Sequence, residues 1–150
     1  MKEKKYYSYS EFRDDLKLLV QKIDYKFDTI IAIARGGLSI AQLLGEYYNI
    51  RKVYSINTIG YNGEQKLDKT EIFNIPNLDN SQNILIVDDI VDSGDTLILT
   101  LNKLKEIYPQ KKFKTASIFY KPSAIIQPNY SIKEAKEWIE FFWSEDLKLI

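Results

Sequence analysis

Two short, nearly unbroken apolar runs limit this chain more than any other feature. Residues 27–34 read FDTIIAIA and residues 83–90 read NILIVDDI. Neither alternates apolar with polar, so neither suits a sheet with one wet face; both suit strands covered on both faces, as in a parallel sheet. Parallel neighbours need crossover connections, and a helical period follows each run. LSIAQLLGEYY at 38–48 sets Leu38, Ala41, Leu44 and Tyr48 on one side, and DTLILTLNKLKEI at 95–107 does the same with Leu97, Leu101, Leu104 and Ile107. Upstream, SYSEF offers a capping box, Ser8 with Glu11 three residues on, and predicts a helix over 9–23 carried by Phe12, Leu16, Leu19, Val20 and Ile23. Further strands are expected at 53–59 and 113–119, with a short one in EIFNI at 71–75. The order helix–strand–helix–strand–loop–strand–helix–strand predicts an α/β protein on an open, mostly parallel twisted sheet flanked by helices. At 150 residues and 45% hydrophobic, one domain with its own core is expected over 1–150.

Composition narrows the chemistry. There is no cysteine and no histidine, which removes disulfides, thiolate metal sites, a cysteine nucleophile and the usual general base. Acid–base work falls to Asp, Glu, Lys or Tyr, and a bound metal would be hard and oxygen-ligated, Mg²⁺ first. Basic and acidic residues balance at 21 each, so nothing global draws the chain to nucleic acid or to an acidic membrane. The start, MKEKKYYSYSEF, has no apolar core of a signal peptide, and no apolar run is long enough to span a bilayer. A soluble, cytoplasmic protein is expected.

In open α/β sheets, ligands bind beyond the carboxyl ends of the strands. Two strands here end in unusual sequences. The second apolar run continues into DDIVDSGDT, so that positions 88–95 hold four aspartates. Asp92, Ser93, Gly94, Asp95 and Thr96 join a strand to a helix. Free N–H groups, the helix dipole, two hydroxyls and a permissive glycine suit a phosphate monoester there, and equally suit an ordinary capped helix start. The adjacent Asp88 and Asp89 can accept from two vicinal hydroxyls, as on a ribose, or help position Mg²⁺; alone they are too few to cage it. ARGG at 34–37 can wrap an anion with its amides while Arg35 supplies charge. It lacks the spacing of a dinucleotide fingerprint or a P-loop. Between the two strands, residues 60–82 hold no sustained period and read as a functional loop such as a lid.

Together these stretches resemble the type I phosphoribosyltransferases. ILIVDDIVDSGDT resembles that family's signature of a hydrophobic strand, two acids and a phosphate loop. IIAIARGGL resembles its pyrophosphate loop, and IFYKP at 118–122 the strand end that carries a purine-contacting lysine. EWIEFFW at 137–143 is similar to the base-binding segment of bacterial xanthine–guanine phosphoribosyltransferases. The resemblance implies a type I phosphoribosyltransferase fold, with a small C-terminal base-binding hood over 121–150 and a mobile loop over 60–82. It implies a Mg²⁺-dependent purine salvage enzyme that moves the 5-phosphoribosyl group from phosphoribosyl pyrophosphate (PRPP) to guanine, xanthine or hypoxanthine, as a homodimer or homotetramer. The alternatives are a transferase for adenine or a pyrimidine, and a non-catalytic PRPP-binding regulator.

Residue by residue, the resemblance gives Asp88 and Asp89 the ribose hydroxyls, directly or through Mg²⁺ and water. Asp92 becomes the proton acceptor at the purine's imidazole ring. Ser93, Gly94, Asp95 and Thr96 cradle the 5′-phosphate, and Arg35 and Gly36 bind pyrophosphate, where the family often has a non-proline cis peptide, the Arg35–Gly36 bond being the candidate. Lys121 donates to the exocyclic oxygen, Trp138 stacks on the base, and the backbone near Ile139 reads its amino edge. Where purine enzymes of the family often carry Ser-Tyr in the mobile loop, this chain has Gly60-Tyr61, and the glycine cannot supply the hydroxyl.

Overall fold

A computed structural model describes residues 3–60 and 70–149. Strand β1 (Lys4–Tyr7) opens the chain, followed by helix α1 (Tyr9–Lys22), strand β2 (Thr29–Ala34), helix α2 (Leu38–Tyr48), strand β3 (Val53–Ile59) and strand β4 (Glu71–Phe73). Strand β5 (Asn83–Val91), helix α3 (Asp95–Ile107) and strand β6 (Lys112–Tyr120) come next. They are followed by strand β7 (Lys133–Glu134), strand β8 (Trp138–Phe141), helix α4 (Phe142–Glu145) and a terminal 3-10 turn, Asp146–Leu149. A six-stranded sheet runs β4-β3-β2-β5-β6-β7, and a separate two-stranded sheet pairs β1 with β8. All pairings are parallel except β3 with β4.

The apolar runs behave as a doubly covered sheet requires. Along β2, Ile30 and Ala32 pack into one core with α1 and α2, while Ile31 and Ile33 face the other with α3. Along β5, Leu85 and Val87 join the first core, and Ile84 and Ile86 the second. Each strand feeds two cores through alternate side chains, so both parities are apolar. The Ser8–Glu11 capping box forms at the start of α1.

The 60–82 stretch divides. Tyr61 and its neighbours to residue 69 lie outside the described residues, whereas the part from β4 onward is packed: β4 pairs with β3, Leu78 is fully buried, and Ser81 is buried. The hood expected over 121–150 also has a contribution from the other end of the chain, since β8 pairs in register with β1, Tyr7 opposite Phe141.

At the amino ends of the central strands, Asp28 joins β2 to β5. Its carboxylate accepts from the Thr29 hydroxyl (2.6 Å), the Gln82 amide (3.1 Å) and the Asn83 amide (2.9 Å). Burial pushes this carboxyl up, but those hydrogen bonds, with Lys52 3.7 Å away, outweigh it and hold the group below its usual value. A depressed folded-state pKa stabilises above the unfolded value and is lost as pH falls through the folded one. Asp28→Ala is therefore expected to cost about 1–2 kcal/mol in urea melts at pH 7, a figure already reduced for the group's partial exposure. The gap between wild type and variant is full above about pH 5 and closes as the pH drops below about 3.8.

Candidate active site

The strand order places β2 between β3 and β5, so the chain leaves β2 in one direction and returns on its other side. That is a topological switch point, where the carboxyl ends open a crevice. The pairing Ala32↔Val87 sets the ARGG turn beside the paired aspartates. The contact is close: a Cβ on Gly36 would overlap the Asp89 carboxylate, and a Cβ on Gly37 would overlap the Val87 carbonyl. Both glycines are thus required by what lies opposite them. The non-proline cis peptide lies one bond before the expected place, between Ala34 and Arg35 rather than Arg35 and Gly36. The turn pivots at the last residue of β2, and Gly36 is already committed to packing on Asp89.

Asp88 and Asp89 are half-buried, and neither has a salt-bridge partner among the described residues. Their carboxylates turn back on the chain: Asp88 accepts from the Asp89 amide (2.8 Å) and Asp89 from the Ile90 amide (2.7 Å). Burial first, and the adjacent Asp89 carboxylate second, push the Asp88 carboxyl well above the usual range; burial raises Asp89 as well. Two desolvated like charges favour any ligand that brings hydroxyl donors or a cation.

Beyond them, Gly94 takes φ +89° at the start of α3, where a side chain would also press on Ile126. Gly94, at the N-cap of this helix, has no side chain to cap it, and a small cavity of about 90 Å³ lined by Asp88, Ser93, Gly94 and Thr96 among others lies at the helix start. Ser93 Oγ accepts from the Asp95 amide (3.2 Å). Asp95 is exposed and lies outside that lining, unlike its three neighbours.

The stretch after β6 is tied down on the same spot. The Lys121 amide donates to the Val91 carbonyl (2.9 Å) and the Ile125 amide to the Ser93 carbonyl (2.8 Å). This brings Lys121 Nζ to 2.7 Å from Asp92 Oδ1. Both groups line a cavity of about 240 Å³ whose far wall is Trp138, Ile139 and Phe141 of β8. Trp138 is 57% exposed, leaving its ring face available.

A third cavity, about 920 Å³, is lined by Arg35, Gly36, Asn57, Asp89, Trp143 and Lys148 among others. Trp143, Ser144 and Lys148 had no role in the sequence reading, although Trp143 closes the EWIEFFW segment. Trp143 stacks on Phe141 at 4.7 Å and 8°, and Ser144 lines both the 240 Å³ and the 920 Å³ cavities. The 240 Å³ cavity shares Asp92 with the small cavity at the start of α3 and Ser144 with the large one, so a helix start, an acid pair beside an arginine turn, and a slot with a donor and an acceptor lie side by side, an arrangement that suits a phosphorylated sugar next to a planar ring.

Comparison with known proteins agrees with this geometry. Residues 8–149 match the phosphoribosyl transferase domain family. A xanthine-guanine phosphoribosyltransferase of Vibrio atlanticus is 36% identical over 123 residues, 81% of this chain and 75% of that one. Among solved structures, the xanthine-guanine-hypoxanthine phosphoribosyltransferase of Helicobacter pylori is similar at 38% identity and TM-score 0.90, covering 98% of this chain and 97% of that one. The purine phosphoribosyltransferase of Pyrococcus horikoshii follows at 30% identity and TM-score 0.81, covering 95% and 94%. With that match over nearly the whole chain, relatives above 30% identity and a switch-point crevice in the fold, this protein belongs to the phosphoribosyl transferase family.

Proposed function

We infer that this chain is a purine salvage phosphoribosyltransferase that transfers the 5-phosphoribosyl group of PRPP to an oxopurine, releasing pyrophosphate. The observation that carries the oxopurine reading is the Lys121–Asp92 pair at 2.7 Å inside the slot walled by Trp138 and Ile139. A ring entering there meets an ammonium donor suited to an exocyclic oxygen and a carboxylate suited to an imidazole N–H. Adenine, which presents an amino group where an oxopurine presents its oxygen, leaves Lys121 without an acceptor.

The 5′-phosphate sits in the nest of Ser93, Gly94 and Thr96, with the Asp95 amide beside it. The ribose hydroxyls donate to Asp88 and Asp89, and the diphosphate lies along Arg35 and the Gly36 amide. The purine nitrogen bonds to the anomeric carbon with inversion as the carbon–oxygen bond to diphosphate breaks, and the bonding pair leaves on that oxygen. Asp92 takes the imidazole proton. Positive charge that develops on the sugar as the bond to diphosphate breaks needs shelter from water.

Mg²⁺ fits the acid pair. Among the described residues no cluster of three or more acidic side chains exists to cage a cation, yet Asp88 and Asp89 present uncompensated charge next to the diphosphate turn. They would hold Mg²⁺ arriving with PRPP, most of its ligands coming from substrate and water. When bound, the ion neutralises charge on the departing diphosphate. No helix among the described residues is long and apolar enough to cross a membrane, in keeping with a cytoplasmic enzyme. Family membership carries the expectation of a homodimer or homotetramer.

With PRPP, Mg²⁺ and each base in turn, the purified protein is expected to form nucleotide from at least one of guanine, xanthine and hypoxanthine. Nucleotide from none of them, or only from adenine or a pyrimidine, would sink this reading. PRPP binding without turnover would favour a regulator instead. Asp92→Asn is expected to lower kcat by about 10²–10⁴-fold, the usual span for a lost general base; full turnover would remove Asp92 from that role. Gly36→Ala, forced against Asp89, is expected to raise the KM for PRPP by about tenfold or more while the KM for the base changes little, a split read from initial rates.

A further inference from the structure

Away from the crevice, α1 buries a carboxylate. Asp15 is 6% exposed, and its Oδ2 accepts from the Tyr7 hydroxyl (2.5 Å) and lies 2.8 Å from Lys133 Nζ. Tyr7 is fully buried. Burial, then the Asp15 carboxylate, push its phenol far above the ordinary range, so it stays a donor. The ammonium of Lys133 also rides over the Tyr7 ring (5.3 Å) and the Phe119 ring (5.7 Å). One carboxylate thus ties together β1, α1 and β7, three elements that pair with or support the hood.

The consequence runs to the base slot. Tyr7 stands opposite Phe141 in the β1–β8 ladder, with ring centroids 5.7 Å apart at 86°. Phe141, with Trp138 and Ile139 of the same strand, walls the slot around Asp92 and Lys121. Tyr7 and Lys133 also brace Phe119 at the end of β6, where Tyr7 packs edge-on at 4.9 Å, and Lys121 follows directly. The groups that meet PRPP rest instead at the ends of β2 and β5 and the start of α3; Tyr7 shares the first core with Ile30, Ala32, Leu85 and Val87, but the polar contacts of the triad run among β1, α1 and β7 alone. A buried ion pair is seldom a large net source of stability, because desolvation offsets its attraction, but its directional contacts fix geometry.

We propose that Asp15 is a positioning residue for base recognition: through Tyr7 and Lys133 it sets the height of hood strand β8 over the slot, and so controls purine affinity and not PRPP affinity. The proposal rests on the purine-transferase reading above. Asp15→Asn keeps a similar shape but loses the charge facing Lys133. It is expected to raise the KM for guanine about tenfold with the KM for PRPP within about twofold, the scale of a small misplacement of a binding wall. Asp15→Leu combined with Lys133→Met removes both charges together, so the Tm should stay near wild type while the guanine KM rises selectively. If that pair does not fold, Tyr7→Phe carries the same split, since it removes only the hydroxyl. A folded pair with wild-type Tm and wild-type guanine KM, or equal rises in both KM values, overturns the proposal. A wild type inactive with every oxopurine removes the functional reading and this inference with it. Turnover of guanine with an unchanged guanine KM in Asp15→Asn removes this inference alone.

Discussion

The contact between Gly36 and the Asp89 carboxylate governs the rest of the site. It exists because β2 and β5 are parallel neighbours in one register, from Thr29↔Ile84 to Ala32↔Val87. That pairing puts a turn with no side chain against an acid at the next strand's end. Were β2 and β5 separated by another strand, the arginine turn and the acid pair would serve different crevices. The Asp28 carboxylate, accepting from the amides of Gln82 and Asn83 at the opposite end, anchors the same two strands. The pair is thus fastened by polar bonds below and by steric fit above, with two apolar cores on its faces.

Charge in the crevice is divided by task. Asp88 and Asp89 are desolvated and crowd each other, so charge there is costly unless a hydroxyl donor or a cation meets it. Arg35, exposed at the turn, places a fixed positive charge beside that pair. Asp92 and Lys121 neutralise one another at 2.7 Å, which spares the base slot an uncompensated charge before the purine arrives. A purine that offers an oxygen and an N–H replaces one contact with two, whereas a ring lacking either leaves one of the pair unsatisfied.

What could be read from the chain follows contact distance. The doubly buried strands, α2 and α3, and the Ser8–Glu11 box were legible because each is a local pattern of a few residues. That the acid pair and the DSGDT turn lie at one end of the sheet was legible because one strand and one turn deliver them in sequence. By contrast, KKYY gives no sign of being β1; it becomes a strand only because β8, at the far end of the chain, supplies its ladder. Asp15 sits three residues after Phe12 and four before Leu19, at the edge of the apolar face, while Asp14 points away; what the helical period does not show is that Tyr7 and Lys133 meet the buried carboxylate. Lys121 had a reason to be singled out, but its pairing with Asp92 depends on Lys121 N–H reaching Val91 and Ile125 N–H reaching Ser93. Trp143 and Lys148 were passed over because a cavity wall built from two distant segments has no period to detect.

That the hood is made from both chain ends has a physical consequence. A two-stranded sheet has too little hydrophobic area to be stable alone, so β1 and β8 must borrow stability from what they cover. They do so through an aromatic cluster: Tyr7, Phe12, Phe119, Phe141 and Trp143 meet mostly edge-on, with Phe141 and Trp143 stacked. Aromatic packing supplies area, yet it tolerates small slides of one ring along another. The Tyr7 hydroxyl and Lys133 ammonium on Asp15 do not tolerate them, because hydrogen bonds weaken steeply when bent or stretched. Apolar contacts therefore hold the hood on, and the buried carboxylate decides where it stops.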